Sequence, residues 1–226
     1  MISFPLRSLF AVFLVLMTSC SAKKESLGEA AIEQASVESY RPAQPADYSD
    51  YDTATFAGGC FWCIEASFEQ IVGVVEAVSG FAGGQSANPT YQEVSSGATQ
   101  HTETVQIYFD PAVIDYSTLL QIFFVAHDPT QVNRQGPDVG PQYRSAIFYH
   151  DLGQKKLAED ALANLDLSGY VNRSVATEVQ PYTKFYPAED YHQDFERKNP
   201  DQPYVVSVSK PKIERVAEAF KGRLKE

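Results

Sequence analysis

Gly58-Gly59-Cys60-Phe61-Trp62-Cys63-Ile64-Glu65 joins a short β-prone run, residues 53–57, to a helical pattern over residues 60–71. Paired glycines tolerate backbone angles that other residues avoid, so they suit a tight strand-to-helix turn. This reading puts Cys60 at or near a helix N-terminus. Free backbone N–H groups and the helix dipole favour an anion there, which predicts a stabilised Cys60 thiolate. Cys63 follows one turn later on the same face. A pair so spaced can close a disulfide after a small backbone adjustment. Two inert cysteines in a core helix are the plain alternative.

Outward from that stretch, the 226-residue chain is 44% hydrophobic and 21% charged, the balance of an ordinary globular protein with one substantial domain plus extensions, or two small domains. The formal net charge of −11 argues against a nucleic-acid partner, because phosphate backbones need a basic surface. Three cysteines, Cys20, Cys60 and Cys63, are too few for a disulfide scaffold. One close pair in a Cys-poor chain points to redox chemistry or to half a metal site.

The N-terminus reads as an export signal over residues 1–19. Arg7 gives a small positive region, residues 9–17 are almost wholly apolar, and Thr18-Ser19 supplies small residues before Cys20. The apolar run is short for a membrane span. Cys20 after those residues resembles a bacterial lipobox, which implies a diacylated N-terminal cysteine, although Met17 stands where Leu is usual. An ordinary cleaved signal or a short anchor is the alternative. Residues 20–52, rich in Ala, Glu, Gln, Ser and Pro, read as a tether that holds a catalytic domain at residues 53–208 away from a membrane. The expected location is the bacterial cell envelope, facing the periplasm or exterior.

Within the folded part, residues 102–109 alternate polar and apolar side chains as a strand does. Residues 116–127 carry apolar side chains at helical spacing. A Pro-, Gly- and Asn-rich loop over 128–142 is long enough to imply a task. Strands are expected at 144–149, 177–180 and 204–208. Helices are expected at 152–165 and 188–197, with a basic C-terminal helical extension over 209–226. Interleaved strands and helices predict an α+β fold, a two-layer sandwich of a mixed sheet with helices packed on it, in the manner of a ferredoxin-like plait. No internal repeat is visible.

Several segments follow one another in this order along the chain: Gly59-Cys60-Phe61-Trp62, Gly83-Gly84, Asn88-Pro89-Thr90-Tyr91, His101-Thr102-Glu103, His127-Asp128-Pro129-Thr130-Gln131, Arg134-Gln135-Gly136, Gln142-Tyr143-Arg144-Ser145, Tyr186 with Ala188-Glu189-Asp190-Tyr191-His192-Gln193, and Lys198-Asn199-Pro200. Over about residues 53–204 the chain resembles the peptide methionine sulfoxide reductase A family. The resemblance implies a thiol-dependent reductase of methionine-S-sulfoxide, in proteins and as the free amino acid, that repairs oxidised proteins. Cys60 would be the nucleophile and would become a sulfenic acid as methionine leaves. Glu103 would be the acid that protonates the sulfoxide oxygen. Tyr91, Tyr143 and Asp138 would hold that oxygen or a water, with Pro137 standing where the family usually has Asn. Phe61 and Trp62 would wall the methyl group.

The chain departs from the commoner pattern at Cys63, where many relatives carry Gly and keep recycling cysteines in a C-terminal tail. No cysteine follows Cys63 here. Cys63 would then resolve the sulfenic acid as a Cys60–Cys63 disulfide, recycled by a thioredoxin-type dithiol. Direct attack by that partner on the sulfenic acid stays open. No bound cofactor and no metal are implied, and a monomer is expected. A thioredoxin-like disulfide oxidoreductase of the envelope is the nearest rival, but it leaves Glu103 and the paired tyrosines idle. A zinc site lacks a His pair at ligand spacing. A non-enzymatic lipoprotein would tolerate Cys60→Ser.

Overall fold

A computed structural model describes Met1, residues 47–169 and residues 173–225. The fold below is that of the compact unit spanning residues 42–226. The expected signal, Cys20 and most of the expected tether lie outside the described residues. Among the described residues no helix is long and apolar enough to cross a membrane.

The chain opens with β1 (Asp52–Gly58), α1 (Phe61–Glu69), β2 (Val74–Ala82), α2 (Tyr91–Ser95), β3 (Thr102–Phe109) and α3 (Tyr116–Ala126). A small hairpin, β4 (Arg134–Gln135) and β5 (Asp138–Val139), precedes β6 (Ser145–Tyr149) and α4 (Leu152–Ala163). Then come β7 (Glu178–Pro181), β8 (Phe185–Pro187) and α5 (Phe195–Lys198), and a π-helical turn, Val205–Ser209, that runs into α6 (Lys210–Ala219). The main sheet has the order β7-β6-β1-β3-β2-β8. Its inner four strands pair antiparallel as β6-β1-β3-β2. With α1 and α3 as crossovers, this is the split βαβ plait the interleaved pattern predicts. The outer pair β6–β7 is parallel, so the sheet is mixed.

Strand β3 positions the site. Val105, Ile107 and Phe109 face the helices and join Phe56, Ile64, Phe68, Leu119 and Phe123 in the main core. Glu103 shares their face by the two-residue period of a strand, opposite Phe81 on β2. The alternating polar residues of β3 are buried as well. Thr102 and Thr104 bond each other (2.8 Å), and Gln106 donates to Tyr108 (2.7 Å). Alternation therefore marks a central strand here, its polar face satisfied internally rather than by water.

Two expected elements are different. The helix expected over 188–197 is broken into a 3₁₀ turn, Asp190–His192, and α5. Asp194 between them is left-handed, with φ 56°, and its N–H donates to the buried Glu65 carboxylate on α1 (2.7 Å). Satisfying that carboxylate interrupts the helix. The strand expected over 204–208 is the π-helical turn. Val205, Val206 and Val208 have β-branched side chains that favour strands, but Gln202 caps the N–H groups of Tyr204 and Val205 (2.7 and 3.1 Å) and Val205 packs fully buried. The boundary expected at residue 208 thus falls inside one helical stretch. Helix α6 buries Val216, and Arg215 donates to the carbonyls of Val125 and Ala126 at the end of α3 (2.8 and 3.2 Å).

Candidate active site

The strand-to-helix turn is as tight as its glycines imply. Gly59 has φ +94°, and a Cβ there would come within 2.5 Å of the Gln135 side chain. Gln135 cannot yield, because it bonds the Asp128 N–H and carbonyl (both 3.0 Å). Cys60 is the N-cap of α1, with no side-chain capping bond. One of the free N–H groups of the first turn, that of Phe61, donates to Glu103 Oε2 (3.1 Å). A helix end and a central strand, 42 residues apart in sequence, thereby meet beside Cys60.

A cavity of about 230 Å³ opens at this point, lined by Cys60, Phe61, Trp62, Tyr91, Glu103, Asp138 and Tyr143, with Gln202 and Tyr204. Every residue nominated from the sequence for substrate contact or acid chemistry is therefore in one place. Tyr91 is brought in by the start of α2, where Thr90 and Glu93 form a capping box. Asp138 comes from the β4–β5 hairpin, whose two-residue turn holds Pro137, and Tyr143 from the 3₁₀ turn Pro141–Tyr143. A larger cavity of about 620 Å³ lies on the other side of Trp62, lined by Glu65, Glu69 and Asp194 among others. Those three are the one close group of metal-ligand atoms among the described residues. Glu65 already accepts from Ser79 and the Asp194 N–H, and Asp194 pairs with Arg197 (2.7 Å). Neither cysteine belongs to that group, so the chemistry sits in the smaller cavity.

Burial sets the protonation states. It pushes the Glu103 carboxyl up to about 8 against the Phe61 N–H bond, which lowers it. Glu103 is therefore a neutral acid at pH 7. Burial likewise raises Tyr91 to about 12 and raises Tyr143 and Tyr204, so all three phenols keep their protons. The Cys60 thiol is also pushed up by burial, then by Cys63 and Glu103, not lowered as its helix position alone implies. In the resting pair the thiol that is lowered is Cys63, to about 7, first by a hydrogen bond from Cys60 and then, against burial, by Lys212 and Ser209.

Cys63 does not line the cavity. It is 1% exposed and lies between α1 and the C-terminal helical stretch. Its thiol donates to Ser209 Oγ (3.2 Å), and Lys212 Nζ donates to its sulfur at 3.9 Å.

The sequence reading gave no role to Tyr204, Gln202, His192, Ser209 or Lys212. Tyr204 donates to Asp138 (2.6 Å) and meets Trp62 edge-on. His192 accepts from the Trp62 indole N–H (3.1 Å) and packs against Tyr91 with ring centroids 4.3 Å apart. Burial holds it down at about 4, so it is a neutral part of the wall. His192 was within reach, since it stands in one of the segments that carry the resemblance. Tyr204 was hidden by the strand-like valines after it.

Comparison with known proteins agrees with this geometry. The profile of the family described as peptide methionine sulfoxide reductase matches residues 52–224. A peptide methionine sulfoxide reductase MsrA of Thermus thermophilus is 50% identical over 174 residues, covering 77% of this chain and 98% of that protein. One of Natronomonas pharaonis is 51% identical over 168 residues, covering 74% and 94%. Among solved structures, methionine sulfoxide reductase A of Corynebacterium diphtheriae superposes with a TM-score of 0.61 at 36% identity, covering 67% of this chain and 76% of that one. Reduced Mxr1 of Saccharomyces cerevisiae superposes at 0.60 and 34%, covering 69% and 89%.

Proposed function

This chain belongs to the peptide methionine sulfoxide reductase family, and from that premise we propose how its own residues reduce methionine sulfoxide. The carrying observation is one cavity that holds a cysteine sulfur, a protonated carboxyl and three protonated phenols beside an aromatic wall. The substrate methyl group lies against Phe61 and Trp62. Tyr91, Tyr143 and Asp138, with Tyr204 behind Asp138, orient the sulfoxide oxygen or a water in its place. Cys60 attacks the sulfoxide sulfur as Glu103 gives its proton to the oxygen, and the proton that leaves the Cys60 thiol restores Glu103. The oxygen passes to Cys60 as a sulfenic acid and methionine departs.

Cys63 then displaces the sulfenic hydroxyl, forming the Cys60–Cys63 disulfide and water. A thioredoxin-type dithiol reduces that disulfide by exchange. The substrate is the S epimer, in oxidised proteins and as the free amino acid, and the enzyme works as a monomer. The N-terminal residues support an exported enzyme tethered through acylated Cys20 to the bacterial envelope. Labelling with radioactive palmitate, retained by the wild type and lost in Cys20→Ser, tests that anchor.

The site is tested by mass spectrometry of reduced enzyme after one equivalent of methionine-S-sulfoxide. The wild type should carry a Cys60–Cys63 disulfide, and Cys63→Ser a Cys60 sulfenic acid trapped by a 1,3-diketone. Absence of the disulfide in the wild type would remove Cys63 from the route. Absence of the trapped adduct in Cys63→Ser would remove Cys60.

A further inference from the structure

We infer that Lys212 and Ser209, on the C-terminal helical stretch, ready the Cys63 thiol for its attack on oxidised Cys60. This rests on the reading above, in which Cys63 closes the disulfide.

A thiol that is 1% exposed cannot give its proton to bulk water or have its thiolate hydrated by it. In apolar surroundings such a thiol is inert, because burial disfavours the charged form. Cys63 is buried but not apolar in its surroundings. From the π-helical turn, the Ser209 hydroxyl lies 3.2 Å from its sulfur. It accepts from the thiol and can turn to donate once the sulfur is ionised. From α6, the Lys212 ammonium reaches the same sulfur at 3.9 Å. Among the described residues that sulfur is the one hydrogen-bonding contact of the Lys212 amine, and no ion pair draws the amine elsewhere.

The other groups facing this thiol are accounted for. Cys60, at the start of the same helix, favours its ionisation, the Tyr204 phenol is close enough to feel its charge, and Glu103 on β3 lies beyond Cys60. Glu196 on α5 opposes ionisation of Cys63, and its carboxylate oxygens are buried without partners. After Cys60, Lys212 is thus the cation that works against burial and Glu196 at this sulfur. The π-helical geometry matters here: one turn holds Tyr204 in the substrate cavity at its start and Ser209 on Cys63 at its end. Such turns are rare and gather at functional sites.

The step balances. The Cys63 sulfur lone pair forms the S–S bond as the Cys60 S–O bond breaks. Cys60 is reduced and Cys63 oxidised. The hydroxyl leaves as water with the proton that Cys63 gave up. No group in this step touches Lys212 except the Cys63 sulfur, so Lys212 and Ser209 are positioning residues.

The experiment is a single turnover of the full chain between pH 6 and 9, quenched at intervals, with methionine, disulfide and trapped sulfenic acid counted separately. In the wild type, disulfide formation should rise with pH through a midpoint set by ionisation of the Cys63 thiol. Lys212→Met should move that midpoint up by about one unit and, at pH 7, slow the disulfide roughly tenfold relative to the methionine burst. Sulfenic acid should then accumulate. Ser209→Ala should shift the midpoint the same way by less, and Lys212→Arg should keep it. An unchanged midpoint in Lys212→Met overturns the inference. So does equal slowing of burst and disulfide at every pH, or Lys212→Arg behaving as Lys212→Met. If Lys212→Met fails to fold, the Ser209→Ala profile decides alone. If the wild type forms no disulfide, the earlier reading falls and takes this one with it, an outcome distinct from a wild-type disulfide with an insensitive pH profile.

Discussion

Cys60 and Cys63 begin the same helix, yet they occupy two different media. Cys60 looks into a cavity among a neutral carboxyl and phenols. It keeps its proton until substrate arrives. Cys63 does not line that cavity; it meets Ser209 and Lys212 on the other side and keeps Cys60 as its neighbour. One turn of helix separates a thiol that opens on the cavity from a thiol that opens on a serine and a lysine. Sequence spacing makes the two equivalent, and the elements packed on each side of α1 make them unlike. The general point is that thiol reactivity is set by charge and solvent at the sulfur, not by the motif that contains it.

The largest way to break the contrast is to remove the front thiol. Cys60→Ser should cut methionine formation by at least about a thousandfold, because no other nucleophile lines the cavity. Methionine release under excess dithiol measures it. Glu103→Gln comes next, keeping the bond to the Phe61 N–H while removing the proton. It should slow the methionine burst roughly a hundredfold. In the wild type the burst should fall as pH rises through about 8, where Glu103 ionises, and Glu103→Gln should lack that limb. The same group affects stability with a definite sign. Between about 4.3 and about 8 the folded state keeps a proton that the unfolded state has lost. Stability should therefore fall as pH rises across that window, and Glu103→Gln should flatten the slope in urea titrations.

Gly59→Ala perturbs the shared base of both environments. A side chain at φ +94° that meets the fixed Gln135 at 2.5 Å should destabilise the fold by about 2 kcal/mol. A fall in Tm of roughly 5 °C would report it. No change in Tm would mean that the turn relaxes freely and does not set the sulfur positions. The smallest expected effect is at the rim. Tyr204→Phe removes the bond to Asp138 (2.6 Å), worth about 1 kcal/mol, and should raise KM fivefold or so while leaving kcat within about twofold. A larger loss in kcat than in KM would place the phenol in the chemical step instead.

Local pattern carried far in this chain. The Gly-Gly turn, the helix start at Cys60 and the strand over residues 102–109 were all legible, because each is decided by backbone freedom or periodicity within a few residues. The family segments named Glu103, Tyr91, Asp138 and Tyr143 without any contact information. The misreadings have two causes, one distant and one local. Residues 188–197 read as a helix, but a buried carboxyl on α1, 129 residues from Asp194, overrode that preference. Residues 204–208 read as a strand, but the nearby Gln202 caps a helical turn there and Val205 is buried in it. Propensity differences are small beside such contacts.

What the sequence by itself determined is the set of groups available: a cysteine at a helix start, a second thiol one turn on, and a carboxyl on an alternating strand. What only the tertiary structure decided is which thiol faces what. Cys63 and Ser209 are 146 residues apart, and the bond between them exists because α6 and the turn before it pack against α1. Desolvation and the placing of one ammonium depend on every element folded around a sulfur, so the different states of Cys60 and Cys63 belong to the fold and not to their spacing.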